Sequence, residues 1–162
     1  GNMSFICHSG YGYSKILCED VASWFLNEFF PRHKITLEIV HRGMKRENVF
    51  GWCDILNEET RNPRTFLIEL QSNMHRDLYI QTLLHELVHV RQWVTGSLQL
   101  RYGKLCYSKE PVEKYDYWHQ PHEVEARAEE ERLYQIYLED VNESEPVQQV
   151  VHNFPNRLMT PV

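Results

Sequence analysis

Apolar positions repeat at helical spacing over residues 18–30, where Val21, Ala22, Trp24, Phe25 and Phe29 recur before Pro31 stops the pattern. A first helix is expected there. The period then shortens to two. Ile35, Leu37 and Ile39 alternate within residues 34–41, and residues 49–56 around Gly51-Trp52 and residues 64–71 also suit strands. Pro63 and the polar stretch Asn-Glu-Glu-Thr-Arg-Asn divide the last two, so short connections and a small, mostly antiparallel sheet are expected. Asp77 can cap a longer helix that reaches Thr95, with Gly96 as its stop, and Leu83, Leu87, Val90 and Val94 give that helix a buried side. Residues 96–120 are aromatic and charged without a clean period and read as long surface loops with room for one hairpin. A third helix opens at Pro121 and runs through Ala126, Leu133 and Tyr137 to about Glu139. The text after Asp140, Val-Asn-Glu-Ser-Glu-Pro, reads as a break. It divides the chain into an α+β domain of residues 1–140 and a tail of residues 141–162, loosely ordered or packed on that domain.

A chain of 162 residues suits a single domain, because it can bury roughly 70% of the surface its unfolded form exposes. With 42% hydrophobic and 25% charged residues it is neither a disordered nor a collagen-like chain. No apolar run approaches membrane-spanning length, since Ala22-Ser23-Trp24-Phe25-Leu26 is stopped by Asn27 and Glu28. No secretory signal is visible, and Gly1-Asn2 ahead of Met3 reads as an expression scar before the expected native start. The net charge of -6 argues against a general nucleic-acid binder, which needs cationic surface to displace phosphate counterions. Cys7, Cys18, Cys53 and Cys106 form no CxxC pair, so they are expected as free, mostly buried thiols in the cytoplasm.

The chemistry concentrates in His85-Glu86-Leu87-Val88-His89. Two histidines four residues apart lie one above the other on a helix and can reach one ion. Glu86, about 100° further around the axis, can stand beside the ion without ligating it. Metal-assisted hydrolysis needs that arrangement, because zinc lowers the pKa of its water to about 7 and a carboxylate takes the proton. A chain with 9 histidines and this glutamate content carries about 0.05 HExxH matches by chance. The apolar surroundings Leu83, Leu84, Leu87, Val88 and Val90 sharpen the signal, since buried imidazoles need partners.

A catalytic zinc takes a third protein ligand, and the next candidates are in Pro121-His122-Glu123-Val124-Glu125-Ala126. HELVH followed by a helix bearing Glu-x-Glu-Ala resembles the zincin metallopeptidases of the glutamate-ligand branch, the gluzincins. His-Glu-Leu-Val-His-Val-Arg-Gln with the later Pro-x-Glu-x-Glu-Ala is similar to uncharacterised phage metallopeptidases and, more distantly, to the SprT-like domain. The resemblance spans residues 64–138. It implies a minimal zincin-like domain with one Zn2+ held by His85, His89 and Glu123, with Glu86 as general base. Glu123 has the small residue Ala126 three positions on, as that pattern requires; Glu125, followed by Ala128, and the histidines His122 and His119 remain alternatives. The family often places an acid four residues after the liganding glutamate to hold a zinc histidine, and here that position is Arg127.

The resemblance further implies an endopeptidase acting on an extended protein or peptide, in the host cytoplasm if the chain is phage-encoded. Residues 64–71 would then be the edge strand that pairs with substrate. Tyr115, Tyr117 and His119 are candidate donors to the oxyanion. Two rivals remain: a non-catalytic relative whose cleft is blocked by residues 96–120 or by the tail, and a protease of DNA-bound protein, which would need a basic strip. Trp52 is expected in the core, Glu129-Glu130-Glu131 as a solvated helix face, and His8, His33, His41, His75 and His152 without a ligand role.

Overall fold

The Ser14 hydroxyl accepts the Leu17 N–H at 3.1 Å and so opens α1 (Lys15–Phe29), three residues before the apolar repeat begins. The computed structural model describes residues 3–56 and 61–144. Ahead of α1 lies β1 (Phe5–Gly10), which the hydrophobic pattern does not announce because His8, Ser9 and Gly10 dilute its apolar half. After α1 come β2 (Thr36–Arg42), β3 (Gly51–Ile55) and β4 (Thr65–Gln71), within a residue or two of their expected bounds.

Their order across the sheet is β1-β2-β4-β3. β2 runs parallel to both neighbours, with Leu37 opposite Ile6 and Phe66, whereas β3 pairs antiparallel to β4 with Cys53 opposite Ile68. The sheet is therefore mixed, not mostly antiparallel, because α1 carries the chain back across it and delivers β2 in the direction of β1. The same order moves the sheet edge. Residues 64–71 lie in the interior, and β3 takes the outside position instead.

One face of the sheet is buried. Leu37, Ile39, Phe66, Ile68 and Leu70 meet Val21, Ala22 and Phe25 of α1 and Ile80, Leu83, Leu84 and Leu87 of α2 (Arg76–Thr95) in one core. Each such side chain contributes about 1.5–3 kcal/mol on burial. α2 is central, packed between the sheet, α1 and the last helix, so it buries Glu86, His89 and Gln92 along with its leucines. Asp77 is not its cap. His75 precedes the helix without a side-chain capping bond, and Asp77 in the first turn accepts from the Tyr134 hydroxyl. Gly96, at φ +91°, ends α2 as expected.

Residues 96–120 are more ordered than expected. They form β5 (Leu98–Arg101), β6 (Lys104–Tyr107) and β7 (Glu110–Pro111), an antiparallel three-stranded sheet, then short 3-10 turns at Val112–Lys114 and Tyr117–His119. Tyr102 and Gly103 at φ 54° and 78° make the tight β5–β6 turn. α3 (Pro121–Ser144) begins where predicted but continues through the expected break after Asp140. The remainder of the expected tail lies outside the described residues. No described helix is long and apolar enough to cross a membrane.

Candidate metal centre

His85 and His89 occupy successive turns of α2, and Glu123 comes from the first turn of α3. One ligand atom from each lies within 4.8 Å of the others. The Glu123 Oε1 atom is 3.0 Å from Nε2 of His85 and 3.3 Å from Nε2 of His89. Tetrahedral zinc with bonds of about 2.0–2.1 Å sets its ligand atoms about 3.3 Å apart, so the spacing of Glu123 from the two histidines suits one small cation.

The opposite ring nitrogens are anchored. Nδ1 of His85 donates to Glu130 Oε1 at 2.7 Å, and Nδ1 of His89 to Gln92 Oε1 at 2.7 Å. The Gln92 amide orientation is dictated by its other contacts, because Nε2 donates to the His122 carbonyl at 3.0 Å and to Glu125 Oε1 at 2.8 Å, both pure acceptors. Both imidazoles thus carry hydrogen on Nδ1 and turn Nε2 toward Glu123, the orientation that metal ligation needs. Burial lowers the pKa of His85, but its bonds to Glu123 and Glu130 override this and raise it to about 10. His89 is raised in the same way, with burial opposing and Glu123 prevailing. Burial raises the Glu123 pKa, and the two imidazoles outweigh that and hold its carboxyl well below the usual range.

Glu86 is buried beside this cluster and is not one of its donor atoms. Burial raises its pKa, with His85 and His89 opposing. Space for its carboxylate comes from Gly51 at the start of β3, where an added Cβ would lie 3.0 Å from Glu86 Oε2 and 3.2 Å from the Glu69 carbonyl oxygen. Cys53, two residues along β3, carries a thiol pushed well up by burial and by the charge of Glu86, which leaves it unreactive.

A cleft of about 230 Å³ opens over His85, Glu86 and Glu123. Phe50 and Gly51 form one wall, and Tyr117, Trp118 and Arg127 contribute to the lining from the α3 side. Residues 96–120 therefore line the cleft and do not fill it.

Among the candidates left open by sequence, the structure brings Glu123 into the donor set with the histidines and leaves the others outside it. Glu125 accepts from Gln92 and from the Tyr107 hydroxyl, at 2.8 Å each, so it holds the residue that holds His89. His122 is buried with its ring centre 5.5 Å from that of His89 and its Nε2 3.7 Å from Glu123 Oε2, but it is outside the donor set. His119 is exposed and paired with Asp116 at 2.7 Å. Of the oxyanion candidates, only Tyr117 lines the cleft. Burial, with Glu123 and Glu86 nearby, pushes its phenol up to about 12, so it remains a proton donor.

Two expectations are corrected. Glu130 is not on a solvated face: it is 4% exposed and is the acid that orients His85. The signal was its i+7 spacing from Glu123, which returns it to the same side of α3 two turns on. Trp52 is not in the core. It sits on the edge strand, 39% exposed, with Nε1 donating to Glu47 Oε1 at 2.9 Å. Gln92 was missed altogether, although it follows His89 by three residues.

Comparison of the chain with protein-family models, with curated proteins and with solved structures gave no significant match.

Proposed function

We propose that this chain is a zinc-dependent metallopeptidase with a zincin-like domain, binding one zinc ion per chain through His85, His89 and Glu123. The observation that carries the reading is the pairing of a two-histidine, one-glutamate donor set, its rings turned by Glu130 and Gln92, with an unligated Glu86 in an open cleft. A site serving structure alone has no use for a buried base beside it, and a cleft that residues 96–120 line without filling speaks against a non-catalytic relative blocked by them.

Zinc bound there supplies a Lewis acid that polarises the scissile carbonyl and acidifies water. Glu86 takes the proton from the attacking water and passes it to the leaving amine, a task suited to a carboxyl whose pKa is raised by burial. Tyr117 donates its hydroxyl to the oxygen that gains charge. The edge position of β3 offers an extended peptide a strand to pair with, so main-chain bonds provide affinity with little sequence preference. The four cysteines are free, which suits a reducing cytoplasm.

Elemental analysis of the purified protein tests the centre. About one zinc per chain is expected, lost in His85→Ala and His89→Ala; retention in both variants defeats the assignment. Glu86→Gln should keep zinc and lose peptide hydrolysis, and unchanged turnover removes Glu86 as the base.

A further inference from the structure

Arg127 stands one turn beyond Glu123 on α3, about 6 Å along the axis, and lines the same cleft. Its guanidinium carbon lies 3.8 Å from the centre of the Trp118 ring, and Nη2 donates to the Trp118 carbonyl. Among the described residues no carboxylate pairs with it: Glu129 is engaged by Arg91 and Arg132, and Glu130 by His85. Four of the five guanidinium N–H groups therefore have no protein acceptor among those residues. The other charged groups lining the cleft are Glu86, Glu123, Glu130 and His85, and among the described residues no lysine or second arginine is there.

This placement has a chemical consequence. With zinc reserved for the reacting carbonyl and water, Arg127 is the cation lining the cleft that can meet a carboxylate elsewhere on the substrate. Stacking on Trp118 covers one face of the guanidinium and restrains it, while its free edge presents the fork that fits a carboxylate with two parallel bonds.

We infer that Arg127, restrained by Trp118, forms a subsite for a substrate carboxylate near the cleaved bond. The inference rests on the peptidase reading and narrows its substrate class to peptides with an acidic side chain or a C-terminal carboxylate close to the cleaved bond.

The test offers zinc-loaded protein pairs of peptides that differ only by Glu or Gln at successive positions around one cleavable bond, each made with a free and an amidated C-terminus. The acidic or free-terminus member should show a kcat/KM about tenfold higher, the scale of one charge-assisted contact. The ratio should fall toward one in Arg127→Gln. In Arg127→Glu it should invert in favour of a lysine-bearing peptide, a reversal that loss of folding cannot produce. Preference that follows internal glutamate identifies the side chain as the ligand, and preference that requires the free terminus identifies the α-carboxylate. Equal ratios in wild type and Arg127→Gln overturn the inference. Should zinc bind and no peptide be cut, the peptidase reading fails by itself. The subsite is then decided by binding of labelled Glu and Gln peptides to the zinc-loaded protein, where equal or absent binding overturns it.

Discussion

Glu130 accepts from Nδ1 of His85 at 2.7 Å while Glu123, two turns earlier on the same side of α3, faces Nε2 of the same ring at 3.0 Å. One helix thus supplies both the third donor and the acid that aims the first. Removing the aiming acid should weaken zinc without touching a ligand. Glu130→Ala is expected to lower zinc affinity about 10–100-fold. Competition with a chelator measures it, and wild-type affinity would show that Glu130 does not orient the ring.

Gly51 is the point where the edge strand makes room for the base. A methyl group there meets Glu86 Oε2 at 3.0 Å and the Glu69 carbonyl oxygen at 3.2 Å, and the backbone on one side cannot yield. Gly51→Ala should push the Glu86 carboxylate aside by a few tenths of an ångström and lower kcat about tenfold, less than the roughly hundredfold that a 1 Å misplacement costs. Zinc content should stay at one per chain, which separates a displaced base from a lost metal.

Tyr117→Phe removes the hydroxyl of a cleft-lining residue and leaves the ring. Turnover should fall about 100–1000-fold with KM little changed, because the bond is made to charge that develops only as the reaction proceeds. A loss confined to KM would place Tyr117 in substrate binding alone.

His41 lies outside the candidate metal centre and contributes to stability in a pH-dependent way. It is buried, with Nδ1 donating to the Ser9 carbonyl at 3.0 Å, Nε2 accepting from the Tyr79 hydroxyl at 2.8 Å, and the Tyr13 ring stacked on it. Burial lowers its pKa, the Ser9 bond opposes, and nearby His8 adds to the fall. The unfolded chain therefore takes up this proton more readily than the native one. The contribution of His41 is complete above about pH 6.5, its unfolded value, and is lost as pH falls through the depressed native value. Urea melts between pH 8 and 5 should show a loss of stability that is shallower in His41→Gln; parallel curves would assign the loss to other groups.

Much of the site was legible along the chain, because a helix makes neighbours of residues four apart whatever surrounds it. HELVH by itself places His85 and His89 on one side and Glu86 beside them. The second helix was legible too, from Pro121 and its apolar repeat. What local pattern could not supply was the rotation of α3 against α2. That packing turns Glu123 toward the histidines and Glu125 toward Gln92, and it buries Glu130 in a run of three glutamates that looks solvated when read alone. The edge strand was misplaced for the same reason: alternation reports that residues 64–71 form a strand, but position in the sheet depends on which strands pair, and the α1 crossover puts β4 inside and β3 outside. Spacing along the backbone determined the two histidines and their base, since it acts within a single helix. The tertiary structure decided which of the candidate third donors meets the histidines, the acid that orients His85, the strand at the sheet edge and the cationic wall at Arg127, since each depends on how separate elements meet across the core.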